Sequence, residues 1–235
     1  MKKIIYIGLT QTILLIAGIA FYFVNTENCI TNVENSHHNP SNVLFLINVS
    51  NYEDIYEFKY HSSSNSIEKI YHCEVKQTGK DESLYTKSFS PDFLEKYTVK
   101  MNNRKSLIRK YSKGFSLDEY SAAEISLDGK YIAYTLPFDQ KVIYVASLQE
   151  NKTLFSIQSS EDQYIDDFDW ANYTLGVIKV HSRWGYLPWE LLAFLMGHPI
   201  PHNTIYLELY SLQGNLVQAV PVLKNITYGE GRLAK

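Results

Sequence analysis

The run from Ile125 to Tyr134 constrains this chain more than any other, because it reads as strand, tight turn, strand. Asp128-Gly129 supplies a turn with positive φ, and the alternation of Tyr131 and Ala133 with Ile132 and Tyr134 suits a two-faced sheet. A similar Ile-Tyr strand follows from Val142 to Leu148, and it recurs elsewhere. Ile55 to Tyr60 is followed by the turn-like Ser62-Ser63-Ser64-Asn65 and then by Ile67 to Tyr71. Ile143 to Asn151 leads into Thr153 to Ile157, and Ile205 to Asn215 leads into Leu216 to Val220. The last two copies share Ser-Leu-Gln-x-Asn at the turn. Tyr56 and Tyr144 lie about 88 residues apart, roughly two steps of 44, and Tyr206 follows after about one step plus an insertion of ~18 residues. Tyr97 to Asn103 falls between the first two copies, where it is expected to open a missing one.

A period in the forties with several strands per unit predicts propeller blades. Ser126, Asp128, Gly129, Lys130, Ile132 and Ala133, followed by Ile143-Tyr144-Val145, resemble the TolB-type β-propeller repeat. That repeat carries Phe-Ser-Pro-Asp-Gly-Lys-x-Ile-Ala-Phe before an Ile-Tyr-Val strand. Phe168 to Val177 resembles the start of the next unit, with Trp170 in the aromatic position and the Asp-Gly turn lost. Phe89-Ser90-Pro91-Asp92 is a third echo, with Phe93 where glycine belongs. The likeness is strongest over residues 123–177, and it implies a fold rather than an active site. The expected fold class is therefore all-β, a small or incomplete propeller-like array of antiparallel hairpins over residues 42–235. Four blades fit the spacing; an open ring of three, or an irregular sandwich of the same hairpins, fits it equally. An unclosed ring would leave strand edges that invite a partner.

Lys2 and Lys3 precede an uncharged, mostly apolar run from Ile4 to Val24. As a helix it reaches about 31 Å at roughly 1.5 Å per residue, matching a ~30 Å hydrocarbon core. It predicts a signal-anchor transmembrane helix over residues 1–24. The lysines favour a cytoplasmic N-terminus, so the domain is expected to face the periplasm or exterior from an inner or plasma membrane. A cleaved signal peptide is the competing reading, with Gly18-Ile19-Ala20 as its small-x-small site. Residues 25–41 read as a polar tether. The two cysteines, Cys29 and Cys73, lie in a compartment that permits disulfides, and a bridge between them would staple the membrane exit to the first strands. Two unpaired thiols remain the alternative.

Trp184 to Gly197 interrupts the unit between Val180 and Ile205, and an inserted helix is expected around 186–197, from Pro188 to Gly197. Trp184, Trp189, Leu192, Phe194 and Met196 are its candidate partner-binding residues, the bland reading being a helix packed over a blade. Between Lys96 and Lys113 the chain is basic and carries no acid. Lys100, Arg104, Lys105, Arg109 and Lys110 form a candidate basic face for anionic headgroups or an acidic partner, or simply the wet side of a hairpin. The acidic run Glu161, Asp162, Asp166, Asp167 and Asp169 lacks the alternating spacing of a calcium loop. Prolines inside His198-Pro199-Ile200-Pro201-His202 deny it the helical turn that would align a metal-binding pair.

No nucleophile elbow, zinc-protease signature, phosphate loop or Cys-x-x-Cys is present, so no catalytic residue, metal or cofactor is assigned. The net charge of −3 and the expected location argue against nucleic acid. The expected function is a membrane-anchored, non-catalytic protein-interaction module, immunity- or inhibitor-like in one version. The alternative is a sugar- or peptide-binding module that uses Tyr and Trp as stacking platforms.

Overall fold

The computed structural model describes residues 29–30, 43–50, 54–74, 89–184, 201–226 and 230–235. The expected anchor and inserted helix lie outside these residues, as does the tether apart from Cys29–Ile30, a two-residue strand where a solvated linker is expected. No described helix is long and apolar enough to cross a membrane. The described chain is mostly β, in antiparallel sheets.

In chain order the strands are β1 (Cys29–Ile30), β2 (Val43–Ser50), β3 (Asp54–His61), β4 (Ser66–Glu74), β5 (Ala123–Ile125), β6 (Tyr131–Tyr134), β7 (Val142–Ser147), β8 (Lys152–Gln158), β9 (Gln163–Ala171), β10 (Thr174–Trp184), β11 (Pro201–Tyr210), β12 (Leu216–Ile226) and β13 (Glu230–Ala234). One helix, α1 (Pro91–Phe115), stands between β4 and β5. The first sheet runs β1-β4-β3-β2-β13, the second β5-β6-β7-β8 and the third β9-β10-β11-β12. The second and third are plain meanders. The first is completed by β13, from the far end of the chain, which pairs with β2 from Glu230↔Ser50 to Ala234↔Leu46.

The recurring Ile-Tyr strands occupy the same place in each sheet. Counted from β13, β5 and β9, they are the third strands β3, β7 and β11. Ile55, Ile143 and Ile205 are all fully buried there. The turns that follow need a left-handed residue, supplied by Asn65, Asn151 and Gly214. The Asp128-Gly129 hairpin forms as the sequence predicts: Gly129 is left-handed, and Asp128 accepts hydrogen bonds from Ser126 Oγ at 2.7 Å and Lys130 N at 3.2 Å. In the third sheet Asn172 adopts the conformation that Gly129 holds in the second, so the turn survives without glycine.

The helix corrects the sequence reading. Phe89-Ser90-Pro91-Asp92 is no blade motif but a helix start. Ser90 caps it, Pro91 occupies the first turn, and Asp92 suits its positive end. Tyr97 to Asn103 opens no strand, and the basic run edges no hairpin, for both lie within α1. The fold is thus not purely β. Left-handed Ser116 ends the helix, its N–H returning to Ser112 O.

Four apolar clusters join these parts in a closed circuit. Phe45, Ile47 and Leu233 of the first sheet pack on Ile178, Ile205 and Leu207 of the third. Trp170 and Leu175 of the third pack on Ile143 and Val145 of the second. Ile132 and Tyr134 of the second pack on Phe115 and Leu107 of α1. Phe93 and Leu94 of α1 return to Leu46 and Ile55 of the first. Each sheet packs against two neighbours, and the inner strand β10 loses simple alternation in the unbroken buried run Leu175 to Val180, while β11 keeps it from Asn203 to Leu209. Gly231 permits one of the closest approaches, since a Cβ there would fall 2.4 Å from Ile178 Cγ2.

Candidate functional site

The first strands of the sheets, β13, β5 and β9, meet near the middle of α1, and that junction is charged. Lys100 and Arg104 sit one helical turn apart on the buried side of α1, so both reach the same spot. Lys100 is 6% exposed; its ammonium donates to Asp167 Oδ2 at 2.8 Å and to Leu233 O at 2.6 Å. Arg104 donates through Nε to Glu124 Oε1 at 3.0 Å and through a terminal nitrogen to Asp167 Oδ1 at 2.9 Å. Asp167 also accepts the Leu233 N–H at 2.8 Å, so one carboxylate links α1, β9 and β13. Trp170 Nε1 donates to Glu124 O at 3.2 Å, which fixes β5 against β9.

Burial alone would raise the Asp167 pKa, but Lys100, Arg104 and its hydrogen bonds outweigh burial and hold the carboxyl below its ordinary range. Glu124 responds differently. Burial pushes it up to about 7 against the pull of Lys100 and Arg104. Burial also raises Asp169, opposed by Lys100 and Lys235. Neighbouring Asp166, which accepts the Gly231 N–H, is pushed up to about 7 by burial, with Glu230 adding to the shift. The two cations are thus committed to Asp167 and to one oxygen of Glu124, while burial raises the pKa of Glu124, Asp166 and Asp169. A cleft of about 440 Å³ opens beside this junction, between α1 and β5, with Lys100, Glu124 and Asp169 at its charged end.

A second feature lies on the loops. Tyr120 and Phe138 stack with ring centroids 4.4 Å apart, although they are 58% and 78% exposed. Phe138 holds φ 59°, a left-handed conformation that a bulky side chain rarely adopts. Leu127 and Tyr173, at the turns that open the second and third sheets, are exposed as well.

The candidate residues from the sequence fare unequally. Lys100, Arg104, Lys105, Arg109 and Lys110 do not form one face: Lys100 and Arg104 point inward, whereas Lys105, Arg109 and Lys110 lie on or near the exposed side. The reason is helical geometry, since residues four apart share a face and the next residue round does not. Cys73 is disulfide-bonded, and β1 sets Cys29, the other cysteine, directly opposite it. Trp184 ends β10, while Trp189, Leu192, Phe194 and Met196 lie outside the described residues, in the connection between β10 and β11. Among the described residues no cluster of His, Cys, Asp and Glu could hold a metal. Sequence reasoning missed Glu124, Asp169, Tyr120 and Phe138 as parts of a site. The Ser90-Pro91-Asp92 start and the spacing of Phe93, Tyr97, Leu107, Tyr111 and Phe115 could have exposed the helix that organises the first two. Compared with protein-family models and with curated proteins, the chain matches none.

Proposed function

We propose that this chain is a membrane-anchored, exocytoplasmic interaction module with no catalytic role, its partner being another protein. In this reading Ile4 to Val24 holds the domain at the outer side of an inner or plasma membrane. The domain itself is a small propeller-like ring of TolB type, with α1 standing in the sector of a fourth blade. Support for the ring comes from the closed packing circuit, from the equivalent places of β3, β7 and β11, and from β13 completing the first sheet. A bridge from Cys73 to Cys29 would tie the tether to that sheet.

The observation that carries the interaction reading is the Tyr120–Phe138 stack. Two large aromatic rings are held in solvent, one of them by an unfavourable backbone conformation. Strain of this kind collects where a surface has a task, and exposed aromatic pairs serve as interface anchors. The test places a photo-reactive phenylalanine at position 138 in native membranes. A discrete protein adduct is expected. Absence of any adduct, with co-purification unchanged in Tyr120→Ser/Phe138→Ser, counts against the reading. A glycan-array signal lost in that double variant would instead favour a sugar-binding module.

Phe138→Gly adds a second check. It relieves the left-handed residue and is expected to stabilise the fold by about 1 kcal/mol while reducing adduct yield and capture. Urea unfolding and pull-down measure the two effects separately.

A further inference from the structure

The cleft beside Lys100 and Arg104 has a composition that the packing of the domain does not require. Its charged end is formed by Glu124 and Asp169, which are 6% and 2% exposed. Each of these carboxylates has one oxygen engaged, Glu124 Oε1 by Arg104 and Asp169 Oδ1 by Trp170 N. Neither second oxygen accepts a hydrogen bond among the described residues. The cation nearest Asp169 Oδ2 is Lys100 at 3.9 Å, beyond hydrogen-bond reach and already bound to Asp167. Glu124, Asp167 and Asp169 share Lys100 and Arg104, and Lys235 lies near Asp169 at the edge of the cleft, yet none of these cations donates a hydrogen bond to the second oxygen of Glu124 or of Asp169.

Above this base the walls turn apolar, with Val99 and Leu107 on one side and Ile125 on the other. Glu95, Lys96 and Lys235 also line the cleft, and Lys96 faces Asp92 one turn away at 3.9 Å. The volume of about 440 Å³ lies within the ordinary range for small-molecule sites. A divalent metal ion would need more oxygen ligands than two carboxylates supply, and it would meet the Lys100 charge. An ammonium group asks less, because it carries one charge and directs its hydrogen bonds at individual oxygens.

We propose that this cleft binds a small amphipathic amine of amino-acid size, its primary ammonium donating to the second oxygens of Glu124 and Asp169 and its aliphatic body lying against Val99, Leu107 and Ile125. The ligand supplies the donors that these second oxygens lack. The inference goes beyond the interaction reading and does not depend on it.

Calorimetric titration of the full chain in nanodiscs tests it with leucinamide as the cationic probe and 4-methylpentanamide as its neutral match. Leucinamide is expected to bind saturably, and the neutral amide at least about tenfold more weakly, a gap of ~1.4 kcal/mol. Glu124→Gln and Asp169→Asn should each weaken leucinamide by a similar factor, while Lys105→Ala, on the outer side of α1, should not. An amide oxygen at position 169 can still accept the Trp170 N–H, so that variant preserves the local fold. Equal binding of the two amides, or no leucinamide binding up to millimolar concentration, overturns the proposal. So does undiminished binding by a correctly melting Asp169→Asn. Where a variant fails to fold, the comparison of the two amides on the unaltered chain decides.

Discussion

At the scale of single residues, Lys100 is the side chain whose role depends most on context. Taken alone, a lysine in a basic stretch is a solvated charge. Within α1 it is buried among Asp167, Asp169 and the Leu233 carbonyl. Removing one member of such a group leaves its partner charged and uncompensated, which costs more than the intact pair contributes. Lys100→Met is therefore expected to destabilise the domain by about 3–5 kcal/mol, even though methionine matches the aliphatic stem. Lys105→Met, five residues further on and exposed, should change stability by less than about 0.5 kcal/mol. Urea unfolding of the two variants side by side measures the contrast. Equal effects would mean that the junction does not hold α1 against β9 and β13.

At the scale of elements, α1 depends on its start as well as on that junction. Ser90 accepts the Phe93 N–H through its hydroxyl, while its own N–H and hydroxyl both donate to Glu57 of β3. A single serine thus caps the helix and pins it to the first sheet. Ser90→Ala removes the cap and leaves Glu57 one donor short, so a loss of about 1–2 kcal/mol is expected, read as a lower midpoint in thermal or urea unfolding. Ser90→Thr should recover most of it. These contacts also explain which elements the sequence discloses. The hairpins are legible because their determinants are local: Asp128-Gly129, Asn151 and Gly214 sit beside the strands they join. The helix is not, because Lys100 and Arg104 interrupt the apolar seam from Phe93 to Phe115 and make a buried stripe look like a wet one. Glu124 and Asp169 are illegible as site residues for a different reason. Only tertiary structure brings β5 and β9 to the same helix, and no residue pattern along the chain announces their meeting.

At the scale of the whole molecule, the closed packing circuit turns buried acids into a property of the entire domain. The packed sheets and the helix leave Glu124 with little water and half-bury Asp166, so both hold protons more tightly when folded than when unfolded. The sign of the linkage follows from that difference. Between the ordinary carboxylate range and about pH 7, the folded state binds protons that the unfolded chain has already lost. Stability from these two groups is therefore present in mild acid and is lost as the pH rises through that window. Asp167 acts in the opposite sense, since its lowered pKa supports the fold at neutral pH and withdraws that support only in strong acid. The melting temperature should accordingly peak near pH 5, fall by several degrees towards pH 8, and fall again well below pH 4. Asp166→Asn, whose amide oxygen can still accept the Gly231 N–H, should flatten the decline between pH 5 and 8, and Glu124→Gln should flatten what is left. A melting temperature that climbs steadily from pH 5 to 8 would show that the sheets and helix do not shield the two carboxyls enough to raise their pKa values.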